Sequence, residues 1–93
     1  MAEVRLARRA VKDLDALPAK VARRILDALE KLSRDPQVPG FDVKLLVGRR
    51  PWRRLRIGDH RVIFRPSEGG KVLLVGRVVD RKQLEQAVLT LPD

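Results

Sequence analysis

Apolar and charged residues alternate over residues 52–65, which predicts a β-hairpin with one apolar and one cationic face. Gly58 and Asp59 interrupt the alternation and form a two-residue turn. Glycine at the first central position suits a type II′ turn, because it accepts the positive φ that this turn requires. The turn fixes the register of the cross-strand pairs, which are Ile57–His60, Arg56–Arg61, Leu55–Val62, Arg54–Ile63 and Trp52–Arg65.

The two faces of this hairpin differ in chemistry because side chains alternate along a strand. The mainly apolar face carries Arg53, Leu55, Ile57, His60, Val62 and Phe64. The mainly cationic face carries Trp52, Arg54, Arg56, Arg61, Ile63 and Arg65. Like charges that face each other across strands repel, so we expect an anionic partner to bind the cationic face. The alternative is that these arginines only cover the outer face of a sheet and remain solvated.

The N-terminal half has one strand pattern followed by two helical patterns. Residues 2–6 alternate and predict a short strand. Apolar residues at helical spacing predict a first helix over 7–17, which ends before Pro18. They also predict a second helix that starts at Pro18 and ends at residues 33–36. The arginines that fall off the apolar stripes of these helices are expected to be solvated, and they are Arg8, Arg9, Arg23, Arg24 and Arg34.

The C-terminal half alternates between irregular segments and one further strand. Residues 34–44 predict a loop, and residues 66–70 predict a turn. Residues 71–81 predict a strand whose apolar face is formed by Val72, Leu74, Gly76 and Val78. In this pattern Arg77 and Arg81 join the cationic face. Apolar residues at 84, 88 and 91 predict a short terminal helix, or a tail that exchanges with a partner.

These elements predict an α+β fold in a single domain that spans residues 1–93. A small, mainly antiparallel, four-stranded sheet is expected to be covered on one face by the N-terminal helical hairpin. The short C-terminal helix completes the predicted architecture.

Charge and composition narrow the classes of function. The chain has no cysteine and one histidine, which excludes disulfides, thiolate catalysis and sites built from several histidines. The net charge is +9, and residues 44–82 hold twelve basic and three acidic side chains. This excess predicts a phosphate-rich partner rather than a membrane surface, because the charges lie on strands and not on an amphipathic helix. The longest apolar run, 72–75, is too short to cross a bilayer, so we expect a cytoplasmic protein.

Several short motifs occur in a defined order. Residues 54–64 combine alternating arginines, the run Gly-Asp-His-Arg and an apolar strand. Three shorter motifs accompany it, and they are Lys12-Asp13-Leu14 with Leu17-Pro18, Asp35-Pro36, and Val79-Asp80-Arg81-Lys82. Together with the order of the elements, they resemble the RelE/ParE superfamily of bacterial toxins from toxin-antitoxin systems over nearly the whole chain.

The resemblance implies a cytoplasmic toxin that a cognate antitoxin holds inactive in a hetero-oligomer. The RelE branch of this superfamily cleaves messenger RNA in the ribosomal decoding site. The ParE branch is associated with inhibition of DNA gyrase and lacks that catalytic set. We expect a ribosome-dependent endoribonuclease that inhibits translation, and the gyrase inhibitor is the alternative.

Cleavage of RNA by its own 2′-hydroxyl requires positioning of the phosphate and neutralisation of the charge that develops on it. Arginine supplies both, because its planar guanidinium binds phosphate oxygens bidentately and stays charged. The predicted catalytic residues are therefore Arg54, Arg56, Arg61 and Arg81. The predicted RNA-binding residues are Lys44, Trp52, Arg65, Arg77 and Lys82. Trp52 could stack on a nucleobase or on a guanidinium, or it could pack against an antitoxin or against residues 34–51.

Proton transfer has no obvious carrier in this sequence. The chain has no tyrosine, whereas the RelE branch often uses one on its terminal helix, where this chain has Glu85 or a neighbour. His60 is a possible acid or base, although the register places it on the apolar face. Lys44 or Lys82 could transfer a proton only with a lowered pKa. The acids of the basic segment show no spacing typical of metal ligands, so we expect neither a metal nor another cofactor.

Overall fold

The computed structural model describes residues 2–35 and 40–91, and its centre is a five-stranded sheet. The strands are β1 (Glu3–Leu6), β2 (Asp42–Leu45), β3 (Arg53–Ile57), β4 (His60–Ser67) and β5 (Val72–Asp80). Their spatial order is β1-β5-β4-β3-β2. The β1–β5 pair is parallel and the other three pairs are antiparallel. The helices are α1 (Arg8–Asp15), α2 (Ala19–Arg34) and α3 (Leu84–Val88). The α+β class is confirmed.

The sheet has one strand more than the sequence predicted, because part of the predicted loop over 34–44 forms β2. This strand pairs with β3, and its Asp42 lies opposite Arg56. Four residues give too short an alternation to be recognised without their partner strand. Residues 36–39 of the predicted loop, with the proline expected to stop the second helix, lie outside the described residues.

The hairpin of β3 and β4 has the predicted register from Ile57–His60 to Arg54–Ile63. Gly58 has a φ of 58°, and Glu68 is the only non-glycine residue with a positive φ in the described part of the chain. Asp59 therefore has a negative φ, as a type II′ turn requires. Trp52 lies just before β3, and the Arg65 guanidinium carbon lies 5.7 Å from the centroid of its ring.

The predicted faces of the last strand are wrong over residues 72–76, because β5 contains a bulge, whereas Arg77 and Val78 lie on the predicted faces. Ile63 pairs with Arg77 and the next residue, Phe64, pairs with Val75, which leaves Gly76 between them. Beyond such an extra residue the alternation of side chains changes face. Leu73, Val75 and Val78 consequently lie in the helix-covered core, whereas Leu74, Gly76 and Val79 face the other side.

The core is divided between the two faces of the sheet. The larger cluster packs α1 and α2 on one face, as the predicted helical hairpin requires, and includes Leu14, Ile25, Leu29, Leu55 and Val75. The smaller cluster, on the opposite face, contains Trp52, Ile63, Val79 and Ala87, and the predicted terminal-helix residues Leu84, Val88 and Leu91 pack against it. Helix α3 thus covers part of the face that carries the hairpin arginines. No helix within 2–35 and 40–91 is long and apolar enough to span a membrane.

Candidate nucleic-acid interface

Four arginines gather on the outer face of the hairpin. Arg56 and Arg61 lie directly opposite each other on β3 and β4, and Arg54 lies two residues from Arg56 along β3. Arg81 reaches the group because its backbone N–H donates to the Asp59 carbonyl in the hairpin turn, at 2.9 Å. We call these residues the arginine cluster, and they are Arg54, Arg56, Arg61 and Arg81.

The electrostatics of Arg61 show that the four side chains share one site. Partial burial lowers the pKa of the Arg61 guanidinium, and the positive charges of Arg56, Arg54 and Arg81 lower it further. Asp42 acts in the opposite direction and raises this pKa. A pKa depressed by neighbouring cations indicates charge that an anionic ligand would relieve.

Hydrogen bonds hold two members of the cluster in place. Nη1 of Arg61 donates to the carbonyls of Gly58 and His60, both at 3.1 Å, so this guanidinium lies over the turn. Nη1 of Arg54 donates to the Asp42 carbonyl at 3.3 Å and lies 3.4 Å from Oδ1 of the same residue. Asp42 is the only acid paired with the cluster among the described residues. The cluster is therefore under-neutralised.

Trp52 is a core residue in this structure. Its side chain is 5% exposed and packs with Ile63 and Leu46, while Arg65 lies over its ring. The ring has no free face on which a nucleobase could stack, so the packing alternative describes Trp52. Arg65 lies four residues along β4 from Arg61, which is about 13 Å at the rise of a strand.

Arg77 does not join the arginine cluster. Its Nε and Nη2 donate to the Asp13 carboxylate of α1, at 2.7 and 3.1 Å, and its Nη1 donates to the Thr90 hydroxyl at 2.6 Å. The Asp13 carboxylate also accepts the Val78 N–H at 2.9 Å. Arg77 lies opposite Ile63 and so on the predicted face of the sheet. Its guanidinium is occupied by this ion pair, which leaves it no free donor fork for the RNA contact that the sequence predicted.

The candidates for proton transfer are spread over different parts of the molecule. His60 lies on the helix-covered side, where it lines small cavities with Val21 and Leu17, and so it faces away from the arginine cluster. Lys44 is exposed on β2, opposite Arg54. Lys82 is exposed in the 3₁₀ turn Arg81–Gln83, and its backbone N–H donates to the Asp80 carboxylate at 2.9 Å. In the described ranges no group of three or more potential ligands could hold a metal ion.

Two acids that form ion pairs with arginines of this region were not identified from the sequence. Asp42 of β2 forms an ion pair with Arg54, and Asp13 of α1 forms an ion pair with Arg77. If β2 had been recognised, its register with β3, in which Asp42 lies opposite Arg56, would have placed Asp42 beside the arginine cluster. No local pattern indicates the second, because Asp13 and Arg77 are 64 positions apart.

Comparisons with known proteins agree with this fold. A family model described as ParE toxin of type II toxin-antitoxin system, parDE, matches residues 4–85. A comparison with curated protein sequences gives no match. A chain of the archaeal RelE-RelB complex from Pyrococcus horikoshii OT3 is 31% identical, with a TM-score of 0.72, over 86% of this chain and 94% of that chain.

Two further solved structures share the fold. A chain of the RelB-RelE antitoxin-toxin complex from Methanococcus jannaschii is 24% identical, with a TM-score of 0.70, over 87% of this chain and 94% of that chain. A mutant of the E. coli toxin RelE in the free state is 16% identical, with a TM-score of 0.77, over 98% of this chain and 95% of that chain. The match of the family model over most of the sequence and the 31% identical relative show the family. The chain belongs to the ParE toxin family, within the RelE/ParE superfamily of toxins from type II toxin-antitoxin systems.

Proposed function

We propose that this toxin is a ribosome-dependent endoribonuclease that inhibits translation by cleaving messenger RNA in the cytoplasm. The observation that carries the proposal is the arginine cluster, in which, among the described residues, Asp42 is the only acid that forms an ion pair with any of the four guanidinium groups. Such a cluster suits a phosphate that acquires additional negative charge as it reacts.

The cluster has the components for positioning and charge stabilisation. Arg56 and Arg61 face each other across two strands, so a phosphate bound between them would receive donors from both sides. Arg54, fixed by Asp42, and Arg81, fixed through the Asp59 carbonyl, would hold the adjacent phosphate oxygens or the next phosphate. In-line attack by the 2′-hydroxyl on its own phosphate would then be favoured by orientation and by the positive field.

Proton transfer is the step to which the chain contributes least. His60 lies behind the sheet, and the arginines stay protonated. Lys44 and Lys82 are the exposed amines adjacent to the cluster, on β2 and after Arg81. We therefore assign the arginines to charge stabilisation, and assign proton transfer to Lys44, Lys82 or solvent held in the ribosomal complex.

We also propose that a cognate antitoxin binds the toxin in a hetero-oligomer. The relatives from Pyrococcus horikoshii and Methanococcus jannaschii are chains of RelE-RelB complexes. A net charge of +9 would favour an acidic antitoxin, because opposite charges steer association.

Inhibition of DNA gyrase is the second candidate function. It is favoured by the family model, which describes the toxin of parDE. The absence of a histidine or tyrosine from the arginine cluster is consistent with a toxin that binds its target without cleaving RNA. In this case the cluster would contact the target protein or its DNA.

Mapping of messenger 5′ ends, set beside a gyrase supercoiling assay, separates the two functions. We expect that brief expression of the toxin creates new 5′ ends in ribosome-bound messenger, while the purified toxin leaves supercoiling unchanged. The variant Arg54→Gln/Arg61→Gln should abolish the new ends. Its matched control Arg8→Gln/Lys71→Gln removes the same charge from exposed positions elsewhere and should retain them. Growth arrest with intact messenger and blocked supercoiling would reject the nuclease.

A further inference from the structure

A second basic surface lies on the helix side of the hairpin. An open groove of about 520 Å³ runs between α2 and the end of β3, with Gly58 of the hairpin turn at its edge. The basic side chains that line the groove are Lys20, Arg23, Arg24, Lys31 and Arg56. All five are exposed. We call this feature the α2 groove.

The spacing of these residues on α2 explains why they form one stripe. Lys20, Arg24 and Lys31 are separated by four and seven residues, so they lie on the same side of the helix. The opposite side of α2, with Ile25 and Leu29, is buried in the larger core. At 1.5 Å per residue the stripe is about 16 Å long, which matches roughly five nucleotides of a stacked strand.

The charge of the α2 groove is poorly neutralised by the protein. Asp27 is the only acid among the described residues that line it. Within the described part of the chain, none of the five basic side chains forms an ion pair. Solvated arginines are what the sequence predicted for this helix, but solvation alone does not require that they converge on one groove.

The α2 groove is continuous with the arginine cluster. Arg56 lines the groove and also lowers the pKa of Arg61 across the hairpin. A Cβ on Gly58 would lie 3.6 Å from Nη1 of Arg24, so the turn contacts the basic stripe. A polyanion that leaves the arginine cluster at the hairpin turn therefore meets positive charge on the other side of the sheet.

We propose that the α2 groove binds the sugar-phosphate backbone of RNA, as a second contact separate from the phosphate held by the arginine cluster. The inference rests on the proposed function, because it takes the RNA to be that of the ribosomal complex. An acidic helix of a protein partner fits the groove less well, because docking of a helix requires a row of apolar anchors. The rim of this groove consists of exposed cations, and its apolar members Ala28, Phe41 and Ile57 lie at the base, packed with the core.

Binding of a fluorescein-labelled, 20-nucleotide single-stranded RNA to the full chain, followed by anisotropy, tests the proposal. The groove variant is Lys20→Gln/Arg24→Gln/Lys31→Gln, which leaves the arginine cluster intact. The matched control is Arg8→Gln/Lys12→Gln/Lys71→Gln, in which three exposed cations outside the groove lose the same charge. Circular dichroism and thermal unfolding establish that both variants are folded.

We expect the groove variant to bind RNA about tenfold or more weakly than the control, and its salt slope to fall by about 2, since each phosphate contact contributes about 0.7. Equal affinities and slopes for the two variants would overturn the proposal. Displacement of the RNA by poly-glutamate at equal charge concentration would assign the groove to an acidic protein instead.

The outcome is independent of catalysis. If the wild type cleaves no messenger but the groove variant alone loses RNA affinity, the proposed nuclease fails and the α2 groove stands. If messenger is cleaved by the wild type and RNA binding is equal in both variants, the nuclease stands and the groove assignment fails.

Discussion

Arg61 keeps its charge in an unfavourable environment. Partial burial and the guanidinium groups of Arg56, Arg54 and Arg81 lower its pKa. A base whose pKa is lower in the folded state binds its proton less tightly there than in the unfolded chain. The charged Arg61 therefore costs stability at every pH below its folded pKa, and the cost is relieved only as the pH rises through that value. Near pH 7, where Arg61 stays charged, a bound anion would reduce this repulsion.

Replacement of Arg61 should consequently separate stability from activity. We expect Arg61→Gln to raise the midpoint of thermal unfolding by about 2–5 °C, because repulsion between cross-strand cations costs about 0.2–1 kcal/mol. The same substitution should abolish growth arrest, since it removes a phosphate donor from the arginine cluster. Differential scanning fluorimetry and a plate assay of induced cells provide the two measurements.

Arg8→Gln is the control for Arg61→Gln. Arg8 is exposed on α1 and forms no ion pair with another described residue, so its loss should change stability by less than about 0.5 kcal/mol and leave growth arrest intact. If Arg61→Gln lowered the unfolding midpoint, its two hydrogen bonds to the turn would outweigh the repulsion. If it retained growth arrest, Arg61 would not belong to the site.

At the scale of elements, one ion pair ties α1 to β5 and α3. The Asp13 and Arg77 side chains are 17% and 16% exposed, and the carboxylate binds both the guanidinium and the Val78 N–H. Arg77 extends the link to Thr90, whose hydroxyl donates to the Ala87 carbonyl at 2.7 Å. The ion pair therefore holds the end of α3 against the sheet.

Loss of Asp13 should be costly for this reason. We expect Asp13→Ala to lower the free energy of unfolding by about 2–3 kcal/mol, because it leaves a partly buried guanidinium and a backbone N–H without their acceptor. The double variant Asp13→Leu/Arg77→Met should lose less than the sum of the single variants, because it leaves no unpaired charge. Urea unfolding of the four proteins in this cycle gives the coupling energy. A coupling near zero would show that the ion pair does not stabilise the docking of α3.

The elements also show what sequence patterns can and cannot reveal. The hairpin register was predictable, because the Gly58-Asp59 turn and the alternation are local signals. The faces of β5 over residues 72–76 were not, because the bulge at Gly76 depends on a contact between distant residues. A Cβ at Gly76 would lie 2.9 Å from the Trp52 ring and 2.7 Å from Leu91, so glycine is required by packing from the opposite side of the sheet.

The same distinction holds for the site. Three arginines of the cluster follow from the alternation of one hairpin, and Arg81 joins them through a backbone hydrogen bond to Asp59. The burial of Trp52 and the pairing of Arg77 with an acid of α1 could not be predicted, because both depend on contacts between distant parts of the chain. The convergence of the α2 arginines with Arg56 likewise requires the packing of a helix beside a strand.

On the scale of the whole molecule, positive charge is concentrated rather than spread. The net charge is +9, and within residues 44–82 basic side chains exceed acidic ones by twelve to three. Two kinds of stabilisation by salt follow. General screening of the net charge acts at any ionic strength and with any ion. Binding of an anion at the arginine cluster or the α2 groove adds to the stability of the folded state by mass action.

Phosphate and chloride should therefore differ in their effect on unfolding. At equal ionic strength in the millimolar range, we expect sodium phosphate to raise the thermal midpoint more than sodium chloride does. A bound phosphate at ten times its dissociation constant adds about 1.4 kcal/mol, or about 6–11 °C for a domain of this size. Because phosphate is also excluded from protein surfaces and so stabilises proteins in general, the informative quantity is the difference from the variant Arg54→Gln/Arg61→Gln. That variant should retain the response to chloride and lose most of the additional response to phosphate. An equal phosphate response in both proteins would mean that the arginine cluster binds no phosphate, and that the concentration of charge acts only through screening.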